Sequence, residues 1–315
     1  MGASSFFSLI GRRFPHHQII KISRKWEYSD NGKLEQIIGL IVPILFGIIF
    51  VVGLVGNALV VLVVASNQQM RNTTNILIVN LATADLPFII FCVPFTAADY
   101  VMSYWPFGEI WCKTVQYLII VSVYMSVYTL VIMSFSRFLA IVYPISVASI
   151  SIRTKRNTYW AISLTWIIIL LSCLPLFSAH KLIIYTYGNE EMAACSFSQD
   201  YNRTAFQISF MLTSYAIPLF IICLLYFGMV FRLWKSVSPA GSSRQSTRVK
   251  KRVTLMVLVV VGVFAVCWLP IQTVLVLKSL SLYQITDITL AILDHCACSR
   301  LHELVCESHS VCFPF

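Results

Sequence analysis

Six long apolar runs divide this chain, and they constrain its fold more than any single motif does. They lie at about 37–65, 75–99, 109–143, 158–177, 205–233 and 253–277. A helix rises about 1.5 Å per residue, so roughly twenty apolar residues cross the hydrocarbon core of a bilayer. Hydrophobic residues make up 58% of the chain and charged residues 11%, with a mean hydropathy of +0.80. These values lie outside the soluble globular range. The expected fold is an all-α integral membrane bundle, one domain of six or seven spans joined by short loops. The prolines inside runs (Pro175, Pro218, Pro270) do not argue against helices. Neighbouring helices and waters satisfy the carbonyls they free.

Charge sets the expected orientation. The loops after the first, third and fifth runs carry Arg71, then Arg153, Lys155 and Arg156, then Arg232, Lys235, Arg244, Arg248, Lys250, Lys251 and Arg252. The opposite loops carry Lys181, Arg203 and Lys278. The positive-inside rule places the first side in the cytoplasm and the N-terminus outside. The basic segment 1–35 opposes that reading, and the sum over three loops outweighs it. This segment reads as a disordered extracellular tail. Residues 36–278 form the transmembrane unit. The sequon Asn202-Arg203-Thr204 falls outside and is a candidate glycosylation site, whereas Asn72-Thr73-Thr74 falls inside. The net charge of +10 is no nucleic-acid signal, because the basic residues sit mainly in loops. Cys92, Cys173, Cys223 and Cys267 lie inside apolar runs and read as small buried side chains. No nucleophile–base set or standard metal spacing occurs, so an enzyme, a metal site or a cofactor is not expected. A transporter is a weak reading without inverted repeats.

The third run opens with Cys112 beside Trp111 and stays apolar to Ser136, where Arg137 begins Arg137-Phe138-Leu139-Ala140-Ile141-Val142-Tyr143-Pro144. An Arg at a membrane exit either anchors the helix end or carries function, and the run alone leaves both open. Cys112, the Arg twenty-five positions on and the "AIVYP" tail resemble the third helix of rhodopsin-like G-protein-coupled receptors. The phrases "GNALVVLVV", "SVYTLVIMSFSRFLAIVYPIS" and "RVKKRVTLMVLVVVGVFAVCWLPIQTVLVLKSL" narrow the resemblance to the allatostatin-A and galanin receptor family.

That resemblance implies a rhodopsin-like bundle and roles for particular residues. Cys112 at the outer end of span three and Cys195 in the second outer loop both face an oxidising compartment, where a bridge is expected to tie the loop over the bundle mouth. Asp85, a carboxyl in mid-membrane, resembles with Asn57 and Ser126 the family's internal sodium and water site. Phe264, Trp268 and Pro270 resemble the span-six pivot, and Pro218, Val127 and Phe264 match a core triad. Arg137 and Tyr226 stand at the expected G-protein end. Arg137 departs from the pattern, because Ser136 replaces the usual preceding acid and Lys250 occupies the facing position.

The implied ligand is a short C-terminally amidated neuropeptide. The span-three position seven residues after Cys112 is Ile119, so a small amine has no counter-ion there. Trp105-Pro106-Phe107-Gly108 and an acidic second outer loop (Glu190, Glu191, Asp200) suit a peptide. Candidate contacts are Gln116, Ile119, Ile120 and Gln272. The implied partner is a heterotrimeric G protein of the inhibitory type, and the implied location the plasma membrane, multi-pass, in contact with lipid.

The resemblance weakens after span six. No Asn-Pro-x-x-Tyr occurs, and Asp294, His295, Arg300, His302, Glu303 and Glu307 interrupt any run of twenty apolar residues. The expectation is six complete spans, a missing or partial seventh and an aberrant tail over 279–315. Such a chain is a truncated or spliced product, or a reading frame run into an intron. A truncated form is expected to associate with the full-length receptor without signalling, and to be retained in the endoplasmic reticulum. It also leaves Asn57 and Asp85 facing lipid. The His and Cys residues of the tail show no zinc spacing.

Overall fold

The computed structural model describes residues 32–102, 104–187, 190–198, 200–235 and parts of 255–280. The expected N-terminal tail up to residue 31, Lys250, Phe264, Cys267 and the tail from 281 onward lie outside the described residues.

Helix α1 spans Gly32–Ser66 and contains Pro43. Helix α2 spans Thr73–Phe91, and its first turn is capped by Asn72, whose side-chain oxygen accepts from the Asn75 amide at 2.9 Å. A break at Cys92 separates it from α3, Val93–Val101. Pro94 lies in the first turn of α3, where its missing N–H costs little, and the two helices together make the expected span 75–99, broken at Cys92. Gly108, at a φ of 78°, opens the long α4, Gly108–Val142. The short α5, Val147–Ile152, leads to α6, Lys155–Ser172. Helix α6 stops three residues before Pro175, since the residue ahead of a proline is pushed out of the helical region. One turn, α7 (Leu176–Ala179), follows.

The loop between α7 and the next helix contains a hairpin. Strands β1, His180–Tyr187, and β2, Glu190–Phe197, pair antiparallel, with His180 opposite Phe197 and Leu182 opposite Cys195. The chain re-enters helix at α8, Arg203–Met211, passes a π-helical turn at Leu212–Ala216 and continues as α9, Ile217–Lys235. The sixth run contributes α10, Trp268–Leu277.

Among the described residues, five helical stretches are long and apolar enough to cross a membrane: Pro43–Ser66, Thr73–Asp99, Gly108–Val142, Lys155–Ala179 and Arg203–Arg232. Helix α4 is their axis. Its Val127 and Leu130 are buried with Leu77, Ile222, Met229 and Trp268. Its Met125 packs with Ile169 and Leu176, and its Cys112 and Val115 pack with Cys92 and Trp105. Helix α9 approaches closely at Gly228, where an added Cβ would lie 2.8 Å from Phe138 Cε2. The outward faces stay apolar, with Ile48, Val55, Leu164, Leu171 and Phe227 exposed. A water-soluble monomer rarely leaves so much apolar surface uncovered.

Candidate functional site

The mouth of the bundle is built around one disulfide. Cys112, in the first turns of α4, is bonded to Cys195 on β2. Trp105 supplies a second tie, its backbone amide donating to the Ala193 carbonyl at 2.7 Å. The indole of Trp105 is buried against Phe107, with ring centroids 5.1 Å apart, and donates to the Gly108 carbonyl at 2.9 Å. The loop between α3 and α4 therefore anchors the hairpin through Trp105. A third element comes from β1: His180 packs on Phe197 at 4.2 Å, with its Nδ1 3.3 Å from the Leu176 carbonyl. Burial pushes this imidazole down to about 4, so it is neutral near pH 7.

Below the hairpin, the candidate ligand residues do not all share one surface. Gln116 and Ile120 lie one turn apart on α4, and Ile120 packs against the cluster that holds Trp268. Gln272 is fully buried one turn after Trp268 and donates to Ser214 Oγ at 3.2 Å, and its Oε1 has no partner among the described residues. Ile119 turns instead toward the Trp105 and Cys112 cluster. The π turn is clamped from α4. The Tyr124 hydroxyl meets Thr213 Oγ1 at 2.7 Å, and Tyr128 donates to the Thr213 carbonyl at 3.2 Å.

The mid-membrane polar residues separate into two groups. Ser126 donates to Asp85 Oδ1 at 3.1 Å, while Asp85 Oδ2 is buried with no partner among the described residues. Asn57 instead donates to the Gly53 carbonyl of its own helix at 2.9 Å. Neither residue faces lipid, contrary to expectation: Asn57 is 2% exposed and Asp85 1%. An added Cβ at Gly53, on the same face of α1 as Asn57, would meet Ile89 of α2, so α1 turns this face onto α2. Beside them, Asn80 donates to Thr129 Oγ1 at 2.7 Å and accepts from Trp166 Nε1 at 2.9 Å, joining three helices. Sequence reading missed this network, although Asn80 is an amide inside an apolar run.

At the opposite end, Arg137 donates to Thr74 Oγ1 at 2.6 Å. Ser136 offers it no charge. Tyr226 is buried nearby, with Ser134 beside its hydroxyl. Pro218 and Val127 are both buried. Asn202 is exposed, and its side-chain oxygen caps α8 by accepting from the Ala205 amide at 3.0 Å.

The sequence profile of the 7 transmembrane receptor (rhodopsin family) matches residues 56–313. The chain belongs to that family. The match includes the stretch beyond 279 that sequence reading set apart. Among relatives, the Allatostatin-A receptor of Bombyx mori is 51% identical over 296 residues, covering 90% of this chain and 81% of its own length. The Galanin-like G-protein coupled receptor npr-9 of Caenorhabditis elegans is 37% identical over 281 residues, covering 81% and 64%. Galanin receptor type 2 of Homo sapiens is 37% identical over 258 residues, covering 81% and 65%. The chain thus spans just under two thirds of the last two relatives. Members of this family are receptors, not enzymes, and as a rhodopsin-family member the chain is a multi-pass membrane protein of the plasma membrane.

Proposed function

We propose that this rhodopsin-family member is a receptor for a short, C-terminally amidated neuropeptide of the allatostatin-A/galanin type. The observation that carries the reading is the 51% identity to an Allatostatin-A receptor across 90% of the chain. The hairpin tied by Cys112–Cys195 at the bundle mouth supports it, since it holds a loop covalently at the end where the peptide would enter.

In this reading the peptide enters between the outer halves of spans three, five and six, against Gln116, Ile119, Ile120 and Gln272. The N-terminus lies outside, Asn202 carries a glycan, and the Arg137 end faces the cytoplasm. Trp268, Phe264 and Pro270 form a pivot that moves with Pro218 and Val127 and transmits the change to Arg137 and Tyr226. Asp85 and Ser126 present a carboxylate and a hydroxyl whose oxygens suit a hard monovalent cation such as sodium, and Asp85 Oδ2, without a partner among the described residues, supports that fit. The partner is a heterotrimeric G protein of the inhibitory type.

The test is the response of cells displaying the full chain on their surface. The amidated allatostatin-A-type peptide is expected to lower cyclic AMP, and the same peptide as a free acid to act far more weakly. Surface display without any response overturns the reading.

A further inference from the structure

The cytoplasmic end of α6 combines two features that the peptide-receptor reading does not use. Its outward ridge is apolar and uncovered along its length: Trp160 is 70% exposed, Leu164 58% and Leu171 61%. At the end of this ridge the helix begins with Lys155 and Arg156, both exposed. Lys155 lies four residues before the exposed Tyr159, and Arg156 four before Trp160, so each cation shares a face with an aromatic ring. The first turn of α6 contains no acid. Cations there stand against the positive end of the helix dipole, an arrangement that favours an anion from elsewhere.

The chain's own loops at that end offer none. The stretches 66–74, 143–157 and 234–252 contain no Asp or Glu. Among the described residues, Lys155 and Arg156 make no ion pair. Just before them, Ile145 and Val147 are also uncovered.

We propose that the start of α6 is a docking surface for an anionic phospholipid of the cytoplasmic leaflet. Lys155 and Arg156 hold the headgroup phosphate, and the acyl chains lie along Trp160, Leu164 and Leu171. Two arguments select a lipid over a protein. The basic pair continues directly from the lipid-facing ridge, with Tyr159 and Trp160 at the level where aromatic rings collect at membrane interfaces. The charge also matches, because the cytoplasmic leaflet is negative and each basic residue near it strengthens attachment. The assignment rests on the orientation proposed above but not on the identity of the peptide.

The test is a titration of the purified full chain in micelles with a fluorescent phosphatidylinositol bisphosphate, read by anisotropy, with fluorescent phosphatidylcholine for comparison. Wild type is expected to prefer the anionic probe. The K155Q/R156Q double variant is expected to bind it about 25-fold more weakly, from roughly fivefold per basic residue. W160A is expected to weaken the lipid but not a soluble inositol phosphate, which lacks acyl chains. R232Q, an exposed cation on α9, serves as the comparison and is expected to stay within about twofold of wild type. Equal binding of both lipids by wild type, or wild-type affinity in the double variant, overturns the proposal. Intact lipid binding with reduced nucleotide exchange on the G protein in the double variant also overturns it, by assigning the surface to a protein partner.

Discussion

At the scale of single residues, Arg137 shows how a missing acid changes what a membrane-end cation can do. With Ser136 beside it, the guanidinium relies on the Thr74 hydroxyl at 2.6 Å. A hydrogen bond to a charged group contributes about 1.5–3 kcal/mol, enough to shift a two-state equilibrium tenfold or more. Thr74→Val is therefore expected to raise ligand-free nucleotide exchange about tenfold, and Ser136→Asp to lower it. Unchanged basal exchange in both variants removes the hydroxyl from this role. His180 is the second residue with a measurable consequence. Its folded-state value, about 4, lies below the ordinary 6.5, so the unfolded chain takes up the proton first as pH falls. Stability is therefore expected to rise with pH between about 4 and 6.5 and to be flat above that window. His180→Phe, which keeps the ring contact with Phe197, is expected to flatten thermal melting across the window. A slope as steep as wild type in that variant contradicts the assignment.

At the scale of elements, α4 packs so closely on α9 that only glycine fits at one position. Gly228→Ala places a methyl 2.8 Å from Phe138 Cε2, and the ring must move. Overpacking of this kind costs about 1–3 kcal/mol, so the melting temperature is expected to fall by several degrees. A melting temperature equal to wild type shows that the ring yields freely. The β1–β2 hairpin depends on Cys195 and on the Trp105–Ala193 backbone bond. Cys195→Ser removes the covalent tie, worth about 2–4 kcal/mol, and is expected to abolish peptide binding at the cell surface while α4 stays folded. The hairpin itself was not legible from sequence. Its residues lie between two spans, and Glu190 and Glu191 give the segment a charge signal with no sign of the pairing to Tyr187 and Thr186. The π turn was equally hidden, because Leu212–Ala216 reads as one more stretch of an apolar helix. Only the Tyr124 and Tyr128 hydroxyls converging on Thr213 mark it.

For the whole molecule, hydropathy is legible because lipid imposes a length and polarity on every span. Helix α4, Gly108–Val142, nearly coincides with the apolar run at about 109–143. Interior contacts between spans are less legible, since an apolar residue facing lipid looks the same in sequence as one facing a neighbour. Hydropathy thus did not separate Ile119 from Ile120, which turn to different clusters. Polar exceptions stand out in such runs, and the structure joins two of them, Ser126 donating to Asp85. Asn57, buried on the same level of reasoning, instead satisfies its amide on Gly53. The central claim joins the outer mouth to the Arg137 end through one bundle, and reciprocity makes that link measurable. The measurement is equilibrium binding of a labelled amidated allatostatin-A-type peptide to the purified full chain, with and without nucleotide-free inhibitory G protein. The account predicts saturable binding that tightens about tenfold when the G protein is added. Saturable binding that the G protein leaves unchanged, or no binding at all, contradicts it.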